Sequence, residues 1–166
     1  MQLRIGNGYD VHRFAETEEP GANITIGGVS IASKRRLLAH SDGDVLVHAL
    51  CDALLGALAL GDIGRHFPDT DPQYRGIRSL LLLQLVMKQV RDLGWDMVNA
   101  DITLVAQEPR FAPHELAIRQ SLATTLGVEI DQISVKATTT EGLGFAGRKE
   151  GIACQAVALL QRQARA

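Results

Sequence analysis

Apolar and polar positions alternate over residues 3–12. Leu3, Ile5, Tyr9 and Val11 fall on one parity and Arg4, Asp10 and His12 on the other. This predicts a first strand with Val11 turned into the core. Ile24 and Ile26 lead into Gly27-Gly28, with Val29 and Ile31 following, the pattern of a hairpin over 22–32. The period then lengthens: Leu46, Val47, Leu50, Leu54, Leu55 and Leu58 recur at helical spacing through residue 60. Ser41, with Asp44 three residues on, reads as a capping box that opens this helix. Residues 61–76 are rich in Gly, Asp and Pro and read as a loop. A second helix is predicted over 79–93, stopped by Gly94, and a strand over 98–106. Pro113 fits the first turn of a third helix that ends before Gly127, and strands follow over 133–139 and 152–160. The elements interleave without the regular alternation of a doubly wound sheet. The expected fold is therefore α+β: a mixed or antiparallel four-stranded sheet with helices on one face plus a β-hairpin, in one domain over 1–166.

Composition narrows the class. Of 166 residues, 46% are hydrophobic and 22% charged, as in globular chains. The 17 basic and 19 acidic side chains leave a net charge of -2, which argues against a nucleic-acid surface while allowing a local basic pocket. The run Lys34-Arg35-Arg36 reads as a solvated loop. Cys51 and Cys154 lack the spacing of a disulfide framework or a cysteine zinc site, and read as small buried residues in a reducing compartment. The N-terminal residues lack the apolar stretch of a signal peptide. The most apolar run, 45–60, is interrupted by His48 and Asp52 and is too short to cross a bilayer. A cytosolic protein is expected.

Three segments could carry chemistry. Asp10 and His12 are two apart on a strand, so they share a face and can offer a carboxylate and an imidazole to one metal ion. So short a pattern also suits a surface ion pair. Asp44, His48 and Asp52 stack in one polar row on an apolar helix. His48 could be a third ligand with Asp52 or Asp44 orienting its other ring nitrogen, or a core histidine satisfied by a carboxylate. Lys136-Ala137-Thr138-Thr139-Thr140-Glu141 runs from a strand into a loop. Its hydroxyls could meet phosphate oxygens and Glu141 a hard cation, although threonine is also simply a good strand residue. Gly142, Gly144 and Gly147 spell G-x-G-x-x-G. A dinucleotide site needs that motif to open a helix, with an acidic residue about 20 positions on. Here a strand is expected next and the sequence runs to Ala166, so that reading is rejected.

Taken together, five blocks resemble one family: Gly8-Tyr9-Asp10-Val11-His12, Leu38-Ala39-His40-Ser41-Asp42-Gly43-Asp44, Ala59-Leu60-Gly61-Asp62-Ile63-Gly64, Phe67-Pro68-Asp69-Thr70-Asp71-Pro72 and Lys136-Ala137-Thr138-Thr139-Thr140-Glu141. They look like the signature of the 2-C-methyl-D-erythritol 2,4-cyclodiphosphate synthases of non-mevalonate isoprenoid biosynthesis. The resemblance implies a homotrimer with active sites between adjacent subunits. These would close 4-diphosphocytidyl-2-C-methyl-D-erythritol 2-phosphate into the cyclic diphosphate and release CMP. It implies zinc on Asp10, His12 and His48, and magnesium or manganese on Glu141. His40 and Thr139 match transition-state stabilising positions. Ser41, Asp62, Ile63, Gly64, Phe67, Pro68, Asp69, Thr70 and Asp71 match the methylerythritol-phosphate pocket. Ala106, Gln107, Glu108, Pro109, Arg110, Phe111 and Ala112, with Thr138, match the cytidine pocket. Val11, Thr140, Phe145 and Arg148 match further substrate contacts. Asn7 stands where some members have histidine, and the segment 107–111 departs from the family pattern. A metal-dependent phosphoesterase and a silent nucleotide-binding trimer are the rival readings.

Overall fold

A computed structural model describes residues 2–39, 41–68, 71–74 and 76–164. Four strands form the sheet: β1 (Leu3–Arg13), β4 (Trp95–Val105), β5 (Ile133–Thr138) and β6 (Gly151–Arg162). Their order is β1-β6-β4-β5, with β6 antiparallel to both neighbours and β4 parallel to β5. β2 (Asn23–Ile26) and β3 (Val29–Ala32) form the separate hairpin. Helices α1 (Val45–Ala57), α3 (Ser79–Asp92) and α4 (Glu115–Leu126) pack on one face of the sheet. The α+β expectation holds, and the sheet is mixed.

The strand parity of β1 was readable, but its inward face was not. Gly6 and Gly8 point at α1, while Val11 is 39% exposed and lies with Leu3, Ile5 and Tyr9 on the face that no helix covers. The reason is steric. A Cβ on Gly6 or Gly8 would stand 1.9 Å from the carbonyl oxygen of Ala53 or Ala49. Glycines on the strand and the Ala49-Ala53-Ala57 stripe on the helix thus let two backbones meet. Glycine carries no hydrophobic signal, so the core-facing parity looked empty. On α1, ten of thirteen residues are buried, and Leu46, Leu50, Leu54 and Leu55 lie among the largest wholly buried side chains. Each such leucine contributes about 1.5–3 kcal/mol.

The helix begins at Val45, not at Ser41, and there is no capping box. Its cap is Asp44, fully buried, whose carboxylate accepts the N–H of Val47 at 3.1 Å. The same carboxylate accepts from Gly27 at 2.9 Å and Gly28 at 2.7 Å, the two residues of the hairpin turn. Both have positive φ, 58° and 76°, as a type I′ turn requires. Burial pushes the Asp44 carboxyl up to about 6, against the pull of those three N–H donors.

Other boundaries moved for similar local reasons. β4 starts at Trp95 because a register shift lies between Met97 and Asn99, so buried positions change parity at the point where the alternation had seemed to begin. The 61–76 segment holds one turn of helix, α2 (Ile63–His66), capped by Asp62, and a 3-10 turn at Pro72–Tyr74. A single turn, α5 (Gly144–Gly147), follows Gly142 and leads directly into β6, which is no phosphate-binding crossover. Cys51 and Cys154 are free and buried. No helix among the described residues is long and apolar enough to cross a membrane.

Candidate metal and phosphate site

Asp10 and His12 stand beyond Gly6 and Gly8 on the helix-facing parity of β1, where α1 brings His48 over them. Asp10 Oδ2 lies 3.1 Å from His48 Nδ1 and 3.3 Å from His12 Nε2, and the two imidazoles approach to 3.1 Å, Nε2 to Nδ1. The rings sit edge to face at 80°. One ligand atom from each residue lies within 4.8 Å of the others. A carboxylate oxygen and two imidazole nitrogens, converging from two rigid elements, form a donor set that fits a divalent transition metal with a position left for substrate.

The electrostatics agree with such a role. Burial drives the His12 imidazole below its ordinary value, helped by the charge on His48 and opposed by Asp10. Burial pulls His48 the same way, but its hydrogen bond to Asp10 and the Asp10 charge outweigh this and hold it above the usual value. Asp10 is pushed up by burial yet ends below its ordinary value, through the His48 hydrogen bond and the charges of both imidazoles.

The polar row on α1 divides its labour in a way that spacing did not show. Asp44 serves the hairpin, and Asp52 accepts the Ile63 N–H at 2.7 Å. Neither orients His48. That partner is Ser79, the first residue of α3, with its Oγ 2.9 Å from His48 Nε2; Ser79 in turn hydrogen-bonds Asp42. Sequence alone shows Ser79 only as the start of the helix predicted over 79–93. Its partners are 31 and 37 positions away, and no local pattern marks them. Ser41 Oγ lies 3.4 Å from the same nitrogen.

The remaining expected site residues fall into separate groups. At the end of β5, the Thr139 hydroxyl donates to Glu141 Oε1 at 2.7 Å, and Glu141 holds a left-handed φ of 52°. Thr138 and Thr140 donate to the backbone carbonyls of Thr139 and Leu143. Arg148 pairs with Glu150 at 2.8 Å, and Phe145 is half-buried beside it in sequence. Among the described residues, no hydrogen bond or ion pair joins Thr139 or Glu141 to Asp10, His12 or His48. A cavity of about 250 Å3 is lined by Phe111, Ala112, Glu115, Ile118, Val135, Lys136 and Ala137. Phe111 and Ala112 belong to the 106–112 segment, in which Gln107 Oε1 is buried without a partner among the described residues and Arg110 is exposed.

Glu108 is engaged. Its carboxylate lies 3.0 Å from Lys149 Nζ and 3.7 Å from Arg35, which also donates to the Lys149 carbonyl and stacks 4.9 Å over Phe14. Arg35 is therefore a fastener between loops, and the basic run is not simply solvated. Asp62 caps α2, Phe67 packs edge-on to Tyr74 at 5.3 Å, and Asp71 accepts from Gln73. Gly64 and Pro68 lie on the same stretch. His66, which had no expected role, bonds the Leu60 carbonyl. His40, Asp69 and Thr70 lie outside the described residues.

Comparison with known proteins gives one answer. The model of the YgbB family matches residues 3–161. A protein of Pseudomonas savastanoi pv. phaseolicola named 2-C-methyl-D-erythritol 2,4-cyclodiphosphate synthase is 64% identical over 160 residues, 96% of this chain and 99% of that one. The structure titled "IspF (Plasmodium falciparum) CDP complex" superposes with a TM-score of 0.85 at 35% identity, covering 98% of this chain and 97% of that one. A bifunctional IspDF from Campylobacter jejuni superposes at 0.90 with 43% identity. This chain covers 42% of its length, and 97% of this chain is matched. The residues, the architecture and these likenesses converge: the chain belongs to the YgbB family, that of the 2-C-methyl-D-erythritol 2,4-cyclodiphosphate synthases.

Proposed function

We propose that this chain acts as a cytoplasmic homotrimer whose active sites lie between subunits, with zinc on Asp10, His12 and His48 and magnesium or manganese on Glu141. Its reaction is that of the family: 4-diphosphocytidyl-2-C-methyl-D-erythritol 2-phosphate cyclises to 2-C-methyl-D-erythritol 2,4-cyclodiphosphate and CMP, in isoprenoid precursor biosynthesis. An oxygen of the 2-phosphate bonds to the β-phosphorus, the bond from that phosphorus to the oxygen bridging it to the α-phosphorus breaks, and CMP leaves with that oxygen. Such a transfer asks for positioning and charge neutralisation, and no covalent nucleophile is needed. The two ions would supply Lewis acidity and neutralise phosphate charge.

The chain's own residues do the rest. Thr139 offers a hydroxyl beside Glu141 to the charge that develops on the leaving group, and His40 is given the matching role. Ser41, Asp62, Ile63, Gly64 and the 67–71 stretch form the polyol pocket. The 106–112 segment and Thr138 hold the cytidine, and the orphaned acceptor of Gln107 supports a ligand that brings a donor there. Val11, Thr140, Phe145 and Arg148 complete the contacts.

The observation that carries this reading is the convergence of one carboxylate and two imidazoles, from β1 and α1, on a single point. The trimer is supported by the uncovered sheet face, where Leu3, Ile5, Tyr9 and Val11 are exposed. The cytoplasm is supported by two free, buried cysteines. The test is phosphorus NMR of the protein with substrate and magnesium, before and after chelation. A cyclic diphosphate formed with CMP, and lost on chelation, is expected. CMP with only linear phosphates would replace the reading by a phosphoesterase, and a sedimentation mass other than three chains would overturn the trimer.

A further inference from the structure

We propose that Ser79, with Asp42 behind it, is a positioning residue that decides which nitrogen of His48 is presented to the metal. The inference rests on reading Asp10, His12 and His48 as ligands, and it follows from counting hydrogens.

Ser79 is wholly buried at the first position of α3. Its backbone N–H, one of those a helix leaves without an internal partner, donates to Asp42 Oδ2 at 3.1 Å. Its hydroxyl bonds the other oxygen of the same carboxylate. Asp42 is thereby gripped at both oxygens by one residue.

A hydroxyl has a single hydrogen, and a carboxylate oxygen only accepts. The Ser79 hydrogen therefore goes to Asp42, and Ser79 Oγ is left to accept from His48 Nε2, 2.9 Å away. Nε2 must carry a hydrogen. Nδ1 is then the nitrogen free to give up its hydrogen, which it shares with Asp10, when a metal takes that place. Nδ1 is the nitrogen that stands 3.1 Å from both Asp10 Oδ2 and His12 Nε2. The serine thus holds the ring's orientation and its tautomer together, as the outer partners of metal-bound histidines do. Ser41 Oγ is a longer second acceptor at 3.4 Å and already accepts from Gly43 N at 3.2 Å, so it cannot replace Ser79 fully.

Two measurements decide this. In the unmodified, metal-free protein, long-range proton–nitrogen NMR of labelled histidine should show a hydrogen on His48 Nε2; a bare Nε2, with the hydrogen on Nδ1 alone, would overturn the proposal. In Ser79→Ala, zinc should bind about ten- to hundredfold more weakly in competition with a chromophoric chelator. Wild-type affinity in a folded Ser79→Ala would equally overturn it. If that variant does not fold, the NMR result on the intact chain stands as the test. Absence of zinc binding in the wild type would defeat the metal reading instead, and the tautomer would still be decided without it.

Discussion

Two ends of this molecule are built on opposite terms. At the β1–α1 end, Asp10, His12 and His48 project from a strand and a helix whose backbones touch through Gly6 and Gly8, and each side chain is already held by another. At the β4–β5 end, the 106–112 and 139–148 segments are connections holding no more than short helical turns, tied by ion pairs that water can reach: Glu108 to Lys149 and Arg35, and Arg148 to Glu150. The first end needs rigid geometry, because a metal tolerates little displacement of its donors. On the proposed reading the second admits and releases a nucleotide, which suits segments held by weaker, exposed contacts.

Breaking the rigid end should have the larger effects. His48→Ala removes one of three donors and should abolish zinc binding and nearly all turnover; full zinc occupancy by elemental analysis would remove His48 from the ligand set. Gly8→Ala forces a methyl group against the Ala49 carbonyl, where neither backbone can yield. It should cost about 3 kcal/mol or more in a denaturant melt, and a loss under about 0.5 kcal/mol would show that strand and helix are not so tightly joined. Glu141→Gln tests whether the ends are independent: magnesium-dependent turnover should fall strongly while zinc content stays at the wild-type level. Loss of zinc in this variant would merge the two. The smallest effect is expected from Glu108→Gln. Glu108 makes two partly exposed ion pairs, each worth up to about 1 kcal/mol, so CDP affinity by calorimetry should weaken by no more than about thirtyfold. A far larger loss would mean that the carboxylate meets the nucleotide directly.

Much of this was legible in the sequence where the signal is local. The helical period of α1, the Gly27-Gly28 turn and the stops at Gly94 and Gly127 could be read because each depends on residues within a turn of one another. Asp10 and His12 declared a shared face through the two-residue repeat. What escaped was set by distant partners. The alternation assigns Val11 to the core because the inward residues, Gly6 and Gly8, have no side chains to advertise burial. Ser79 reads locally as no more than the start of a helix, and Arg35 as solvent-facing charge; their partners Asp42, His48, Glu108 and Lys149 are distant in sequence. The register shift in β4 concealed three residues of strand by exchanging the parities.

The Asp44 carboxylate, shared among amides of the hairpin turn and the first turn of α1, sets a limit on how such a chain can diversify. Its three donors come from positions 27, 28 and 47, so the turn and the start of the histidine-bearing helix are in effect one joint. Gly28 is further hemmed in by Leu80, whose Cδ1 would lie 2.3 Å from an added Cβ. An insertion in that two-residue turn would displace the seat of His48. The exposed stretch 16–18, between the backbone bonds of Ala15 and Glu19 to Arg36 and Lys34, is free to lengthen, and drift in length should gather there and not at the hairpin tip.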